Sequence, residues 1–202
     1  MRASVTLNPE QTGNTVSLPE LIFLDTGCLL NLYASRNLES IVTTISSDFA
    51  VADYVLDQEA IYVWSGSQND ESRERTPVNI VPLIQQNLIR VESLVSESEK
   101  STFIDLAARM DDGEAITGAL AIHRNGGVAT DDVKARRILT QWAVPVPVIS
   151  TLDLVKQWAE LAGMESGDVR QILQNIYWGA TYFPGRRDPL YDWWRSFFVL
   201  EE

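Results

Sequence analysis

The stretch Leu21-Ile22-Phe23-Leu24-Asp25 does most to limit what this chain can fold into. Four consecutive apolar residues ended by an acid read as a strand buried on both faces of a parallel sheet, because a strand with one wet face would alternate. An acid just past the carboxyl end of such a strand stands where open α/β sheets place their ligands. The stretch therefore predicts an α/β domain with Asp25 as the first member of an acidic site.

The remaining pattern agrees with alternation of strands and helices. Residues 1–19 are rich in Ser, Thr, Asn, Gln, Pro and Gly and read as an exposed arm. Short helices are expected over 26–35 and 38–46, and a second strand at Phe49-Ala50-Val51-Ala52 closed by Asp53 as a helix N-cap. A helix over 53–64 and a loop over 65–79 follow, the latter having no apolar period. A strand within 88–95, at an edge, precedes helices at 101–110 and 113–124. Gly126–Thr130 is a turn and a short buried strand, 132–142 a helix, and 144–149 an edge or end strand because of its two prolines. The order predicts a three-layer α/β/α sandwich with a mainly parallel central sheet over residues 20–150. Beyond it, three helical stretches near 151–162, 167–178 and 189–199 predict a helical extension packed on the core. Five of the six tryptophans lie at or after Trp142, which makes that extension a hydrophobic cap, a dimer surface or a base-stacking platform.

A net charge of −12 over 202 residues argues against broad non-specific binding to a polyanion, although a local basic patch or a metal offsets the global field. The single cysteine, Cys28, excludes an internal disulfide and reads as a small core residue in a reducing compartment. No apolar segment approaches the ~18 residues of a membrane span, and no secretory h-region opens the chain, so a cytoplasmic protein with no membrane partner is expected.

Further acids stand where acids are costly. On a helical period Glu59 shares a face with Ala52, Val55, Tyr62 and Val63, with no Lys or Arg at i±3 or i±4. Either a distant cation or backbone donor pairs with it, or other acids and a metal do. Asp111-Asp112-Gly113-Glu114 opens a helix. Asp111 and Glu114 have capping-box spacing, and Glu114 lies on the face of the small residues Gly118 and Ala121. Thr130-Asp131-Asp132 closes a buried strand as Asp25 does, and Thr130 or Asp131 could cap the next helix. Four or five such charges brought together would cost several kcal/mol, which a hard divalent cation with oxygen ligands, Mg²⁺ or Mn²⁺, relieves. Such a centre can activate water at a phosphodiester.

Leu24-Asp25-Thr26 after a strand, Glu59 in a helix, Asp112-Gly113-Glu114-Ala115, and Thr130-Asp131-Asp132-Val133-Lys134-Ala135-Arg136 form an ordered set that resembles the PIN domain. The last two motifs, with Ser150-Thr151-Leu152 opening the next helix, look most like a subgroup of predicted nucleic-acid-binding PIN proteins. The resemblance implies a metal-dependent ribonuclease, often the toxin of a toxin–antitoxin pair. Its partners would be RNA, a small antitoxin protein and, in a homodimer, a second copy. It implies Asp25, Glu59, Glu114 and Asp132 as the catalytic quartet. Asp25 and Asp132 would be the leading metal ligands, with Asp131 and Glu114 beside them. Thr26, Thr130, Lys134 and Arg136 would face the substrate, Arg136 positioning phosphate. Gly27 departs from the pattern, since many members carry Asn or Ser there. A different class of reading is a PIN-like scaffold with a weakened site, acting through a protein partner.

Other hydrolase schemes fit poorly. Asp25-Thr26-Gly27 occurs once, whereas aspartic proteases need two such aspartates. His123 is the only histidine and falls on an outer helical position, which leaves zinc and Ser-His schemes without support. Lys134, Arg136, Arg137 and the Arg186-Arg187 pair supply the candidate basic rim.

Overall fold

The computed structural model describes residues 18–57, 62–65 and 73–198. Its elements in chain order are β1 (Leu21–Leu24), α1 (Thr26–Ala34), α2 (Leu38–Thr44), β2 (Asp48–Ala52), α3 (Asp53–Asp57), β3 (Tyr62–Ser65), β4 (Glu74–Pro77), α4 (Val81–Gln85), β5 (Ile89–Glu92), α5 (Glu97–Ala107), α6 (Asp112–His123), β6 (Gly127–Ala129), α7 (Val133–Thr140), β7 (Val148–Ile149), α8 (Thr151–Leu161), α9 (Ser166–Gly179) and α10 (Tyr191–Ser196). Five strands form a parallel sheet in the order β5-β2-β1-β6-β7, and helices flank it in a three-layer α/β/α sandwich.

The apolar run of β1 becomes the central strand because it needs cover on both faces: Ile22, Phe23 and Leu24 are fully buried, and β1 pairs with Asp48–Ala50 of β2 and Gly127–Ala129 of β6. The Pro-containing segment supplies only the two residues of β7, at one edge, and β5 takes the other edge. The helix expected from residue 101 begins earlier, at Glu97, because Ser96 and Glu99 form a reciprocal capping box. Glu99 also accepts the Val95 N–H and an Arg124 guanidinium hydrogen bond. Ser96 and Val95 donors and Arg124 hold the Glu99 carboxyl down at about 2, against the opposing effect of its burial.

The small residues of α6 permit close packing, but toward other helices as well as the sheet. A Cβ on Gly118 would lie 2.8 Å from Leu139 of α7 and 3.2 Å from Leu106 of α5. This lets α6 settle onto β1, β2 and β6 and brings its first turn to the strand ends.

Two expectations fail between residues 53 and 79. The helix is described over Asp53–Asp57 and does not extend to 64: Tyr62–Ser65 instead pairs antiparallel with Glu74–Pro77 in a separate two-stranded ribbon. The run Tyr62-Val63-Trp64 prefers a pleated surface, where Tyr62 and Trp64 meet edge to face at 5.8 Å and Arg75 lies 4.3 Å over the Tyr62 ring. The shared helical face drawn for Glu59 with Tyr62 and Val63 therefore does not form. Glu59 itself, residues 66–72 of the expected loop and residues 1–17 of the expected arm lie outside the described residues.

The C-terminal helices join the same hydrophobic core as the sheet. Leu152, Val155, Trp158, Leu173 and Ile176 are buried in it, α8 packing on α1 and α2 and α9 on α1 and β3. The Trp158 indole N–H donates to Ser40 Oγ at 3.1 Å, fixing α8 to α2. Tyr177 of α9 and, past that helix, Phe183, Tyr191, Trp194 and Phe198 form a contiguous aromatic cluster. No helix among the described residues is long and apolar enough to cross a membrane.

Candidate active site

From β1 the chain proceeds outward through β2 and β5, and then returns to lay β6 and β7 on the opposite side. β1 and β6 are thus neighbours at the point where strand order reverses, and the carboxyl ends of such a pair border a ligand crevice. Both strands run into acids there. The Asp25 N–H still donates to Ala129 O of β6 at 3.0 Å, after which its side chain turns to cap α1 by accepting the Cys28 N–H at 2.6 Å. Asp25 is only 7% exposed. Burial pushes its carboxyl up to about 7; hydrogen bonds from the Thr130 side chain and the Cys28 N–H pull it down, and Asp131 and Glu114 push it further up. The two expected partners are therefore close enough to act on its charge.

Glu114, in the first turn of α6, is half-buried, and its carboxyl is raised chiefly by that burial and next by Asp132. The capping box expected between Asp111 and Glu114 is incomplete: Asp111 is the N-cap residue but its side chain makes no cap hydrogen bond. Asp132, rather than Thr130 or Asp131, caps the next helix, accepting the Ala135 N–H at 2.7 Å. It is exposed. Glu114 thus acts on the Asp25 charge and Asp132 on that of Glu114, beyond the ends of β1 and β6.

Asp131, which also acts on the Asp25 charge, is saturated with protein donors. One carboxylate oxygen accepts from Asn31 Nδ2 at 3.0 Å, from the Thr151 hydroxyl and from the Cys28 thiol at 3.5 Å. The other accepts the Thr151 N–H at 3.0 Å and the Tyr182 hydroxyl at 3.3 Å. A carboxylate offers about four lone-pair positions, so protein donors occupy this one fully. Asn31 and Cys28 also reach Thr151 Oγ1, at 3.0 and 3.2 Å. Burial pushes the Cys28 thiol up, with Asp131 and Asp25 adding to it, and burial likewise raises the Tyr182 hydroxyl. Both stay protonated and serve as donors.

The candidate substrate residues divide similarly. Thr130 is buried, and its hydroxyl accepts the Asp132 N–H at 3.2 Å. Arg136 donates from Nη1 to Thr130 O at 2.9 Å and bears on Asp188, so part of its guanidinium braces the end of β6. Lys134 is exposed and lowers the raised Glu114 carboxyl. Thr26 begins α1 and makes no side-chain hydrogen bond among the described residues.

Five residues at this site escape the sequence reasoning as functional positions: Cys28, Asn31, Thr151, Tyr182 and Asp188. Asn31 had a signal, because it falls on the buried face of α1 beside Cys28 and Leu32, where an amide needs a partner. Asp188 is half-buried, accepts the Leu190 N–H at 2.8 Å, and is raised first by burial, with Asp153 and Asp131 adding to the effect. The supporting polar contact that Gly27 lacks is supplied one turn later by Asn31, though to Asp131 rather than Asp25.

Among the described residues no three Asp, Glu, His or Cys side chains form a ready-made metal group. The donor chemistry nevertheless fits a hard dication, because Mg²⁺ is commonly held by one or two carboxylates with water and substrate oxygens completing its shell. Asp25, Glu114 and Asp132 are the carboxylates that would hold it. The saturated Asp131 does not fit that role.

Fold and site together define a parallel α/β sandwich with acids after both strands of its switch point. Comparisons with family models, with curated proteins and with solved structures find no match to this chain.

Proposed function

We propose that the chain is a divalent-metal-dependent endoribonuclease of the PIN-domain type. One observation carries the reading: acids follow both strands of the switch point, and Glu114 acts electrostatically on Asp25 as Asp132 does on Glu114. A burial-raised carboxyl beside like charges marks a site held ready for a cation or a proton. Asp25, Glu114 and Asp132 would hold Mg²⁺ or Mn²⁺, which when bound supplies an activated water and charge neutralisation at the scissile phosphate. Asp25 is fixed by its cap and Thr130, so its geometry is set before substrate arrives. Lys134 and the remaining donors of Arg136 face the phosphate. Glu59 stays in the proposed quartet on the strength of the sequence motif alone.

The test is Mn²⁺-dependent cleavage of a mixed pool of structured and single-stranded RNA by purified protein. Asp25→Asn and Asp132→Asn should each reduce cleavage at least about a hundredfold with the fold intact, and Glu59→Gln should behave alike. Cleavage retained in both aspartate variants would sink the assignment.

A second reading, a PIN-like scaffold with a weakened site, is favoured by the lack of a three-acid metal group among the described residues. It expects no cleavage by wild-type protein and stable capture of a protein partner. If the chain is the toxin of a pair, a small antitoxin encoded beside it should co-purify and suppress the cleavage. Both readings place the protein in the cytoplasm.

A further inference from the structure

The chain carries 16 Lys and Arg against 28 Asp and Glu, yet one concavity is lined only by cations, an amide and apolar groups. This groove, of about 470 Å³, is formed by Arg109, Lys134, Arg137, Ile138, Gln141 and Trp142. Lys134, Arg137, Ile138 and Gln141 fall at i, i+3, i+4 and i+7 and form one stripe along α7, about 10 Å long. Arg109 comes from the turn after α5, its guanidinium 5.3 Å over the Trp142 ring centroid. None of the three cations makes an ion pair among the described residues. At its Lys134 end the groove adjoins the acidic site, since Lys134 acts on the Glu114 charge.

We propose that this groove seats the backbone of a single-stranded nucleic acid leading into the acidic site, with a base stacked against the Arg109–Trp142 pair. The ligand class rests on the ribonuclease reading; the groove itself does not. Three converging unpaired cations repel one another, and successive phosphates of one strand relieve that repulsion. Trp142 and Ile138 between them offer an apolar face, and a planar ring capped by a planar guanidinium is a stack that an unpaired base can extend. A duplex hides its base faces, so it would meet the cations but not the ring. The groove thereby selects single strands.

The experiment is fluorescence anisotropy with a labelled 12-nucleotide RNA, single-stranded or annealed to its complement, in EDTA so that binding is read without cleavage. Wild-type protein should bind the single strand more tightly than the duplex. The double variant Arg109→Ala/Arg137→Ala should weaken single-strand binding about tenfold and flatten its salt dependence by about one unit of slope. Trp142→Ala should weaken it about fivefold or more, and Trp142→Phe should restore most of that loss. Arg90→Ala, on a remote exposed ion pair, should change nothing. Unchanged affinity in the double variant overturns the proposal, as does equal binding of strand and duplex, or competition by inorganic phosphate as effective as by RNA. Groove-dependent binding without Mn²⁺-dependent cleavage sustains the groove and defeats the ribonuclease reading. Cleavage with groove variants that bind normally does the reverse.

Discussion

Asp131 and Asp132 are adjacent in the chain and do opposite things. Asp131 turns inward and takes five donors from α1, α8 and the segment after α9. Asp132 is exposed, caps α7 with one oxygen, and acts electrostatically on Glu114. One is an acceptor around which three pieces of chain are tied, and the other belongs to a set of acids in which burial and like charge outweigh the nearby Lys134. The difference teaches that charge alone does not mark a reactive carboxylate; how many donors already surround it decides. Glu99 makes the same point away from the site, since donors hold its carboxyl down at about 2, whereas burial drives Asp25 up to about 7.

The comparison breaks most visibly at Asp131. Asp131→Ala leaves Asn31, Thr151 and Tyr182 donors unpaired in a largely dry region and should cost about 3 kcal/mol or more in urea unfolding. Loss of under about 1 kcal/mol would show that the network is not the tie described. Asp132→Ala should cost about 1 kcal/mol, the ordinary loss of a cap.

Asp25 should respond with the opposite sign. Its folded carboxyl keeps a proton that the unfolded chain sheds near 3.8, so wild-type stability declines as pH rises from about 4 through 7. Asp25→Asn does not ionise and can still accept the Cys28 N–H. In metal-free buffer at pH 8 it should therefore melt above the wild type, by about 1 kcal/mol or more, and its advantage should fade toward pH 4. Added Mn²⁺ should raise the wild-type Tm and leave the variant's unchanged. A variant less stable than wild type at pH 8 would contradict burial as the dominant cause.

Glu99 provides the mirror image. Its contribution is fully present above its unfolded value of 4.5 and is lost as pH falls toward about 2. The stability gap between wild type and Glu99→Gln should thus be constant from pH 6 to 8 and shrink steadily below 4.5. A gap that widens in acid would reverse the assignment.

The smallest effect is expected at Gly27. A Cβ there would sit 3.6 Å from Asp25 Oδ1, ordinary contact distance, inside the first turn of α1. Gly27→Ala should stabilise the chain by about 0.5 kcal/mol through the unfolded state and leave the site unaltered.

The parts of this molecule readable from sequence are those where burial left a pattern. Phe23, Val51 and Val128 announce central strands because residues that need cover on both faces cannot alternate, and acids after two of those strands point to the crevice. The β3–β4 ribbon was not readable. Tyr62 and Val63 match a helical spacing as well as a strand, and β4, Glu-Arg-Thr-Pro, is exposed at every residue and so has no alternation to detect. The inward role of Asp131 was equally hidden, because its donors lie at positions 28, 31, 151 and 182, far apart in sequence and of residue types common everywhere. Long-range polar pairing leaves no period.

That wide spacing has a consequence for the order in which the protein is made. Growing from its N-terminus, the chain has every strand of the main sheet once Ile149 is complete. At that stage Asp131 has Cys28 and Asn31 but neither Thr151 nor Tyr182. Its second oxygen finds its partners only as α8 forms and the chain passes Tyr182. Such far-separated closures are slow to form, and domains mature as units during synthesis. The crevice over β1 and β6 therefore acquires its full set of ties only after Tyr182 has been added, and a nascent chain halted before Tyr182 carries the acids of the site without that lock.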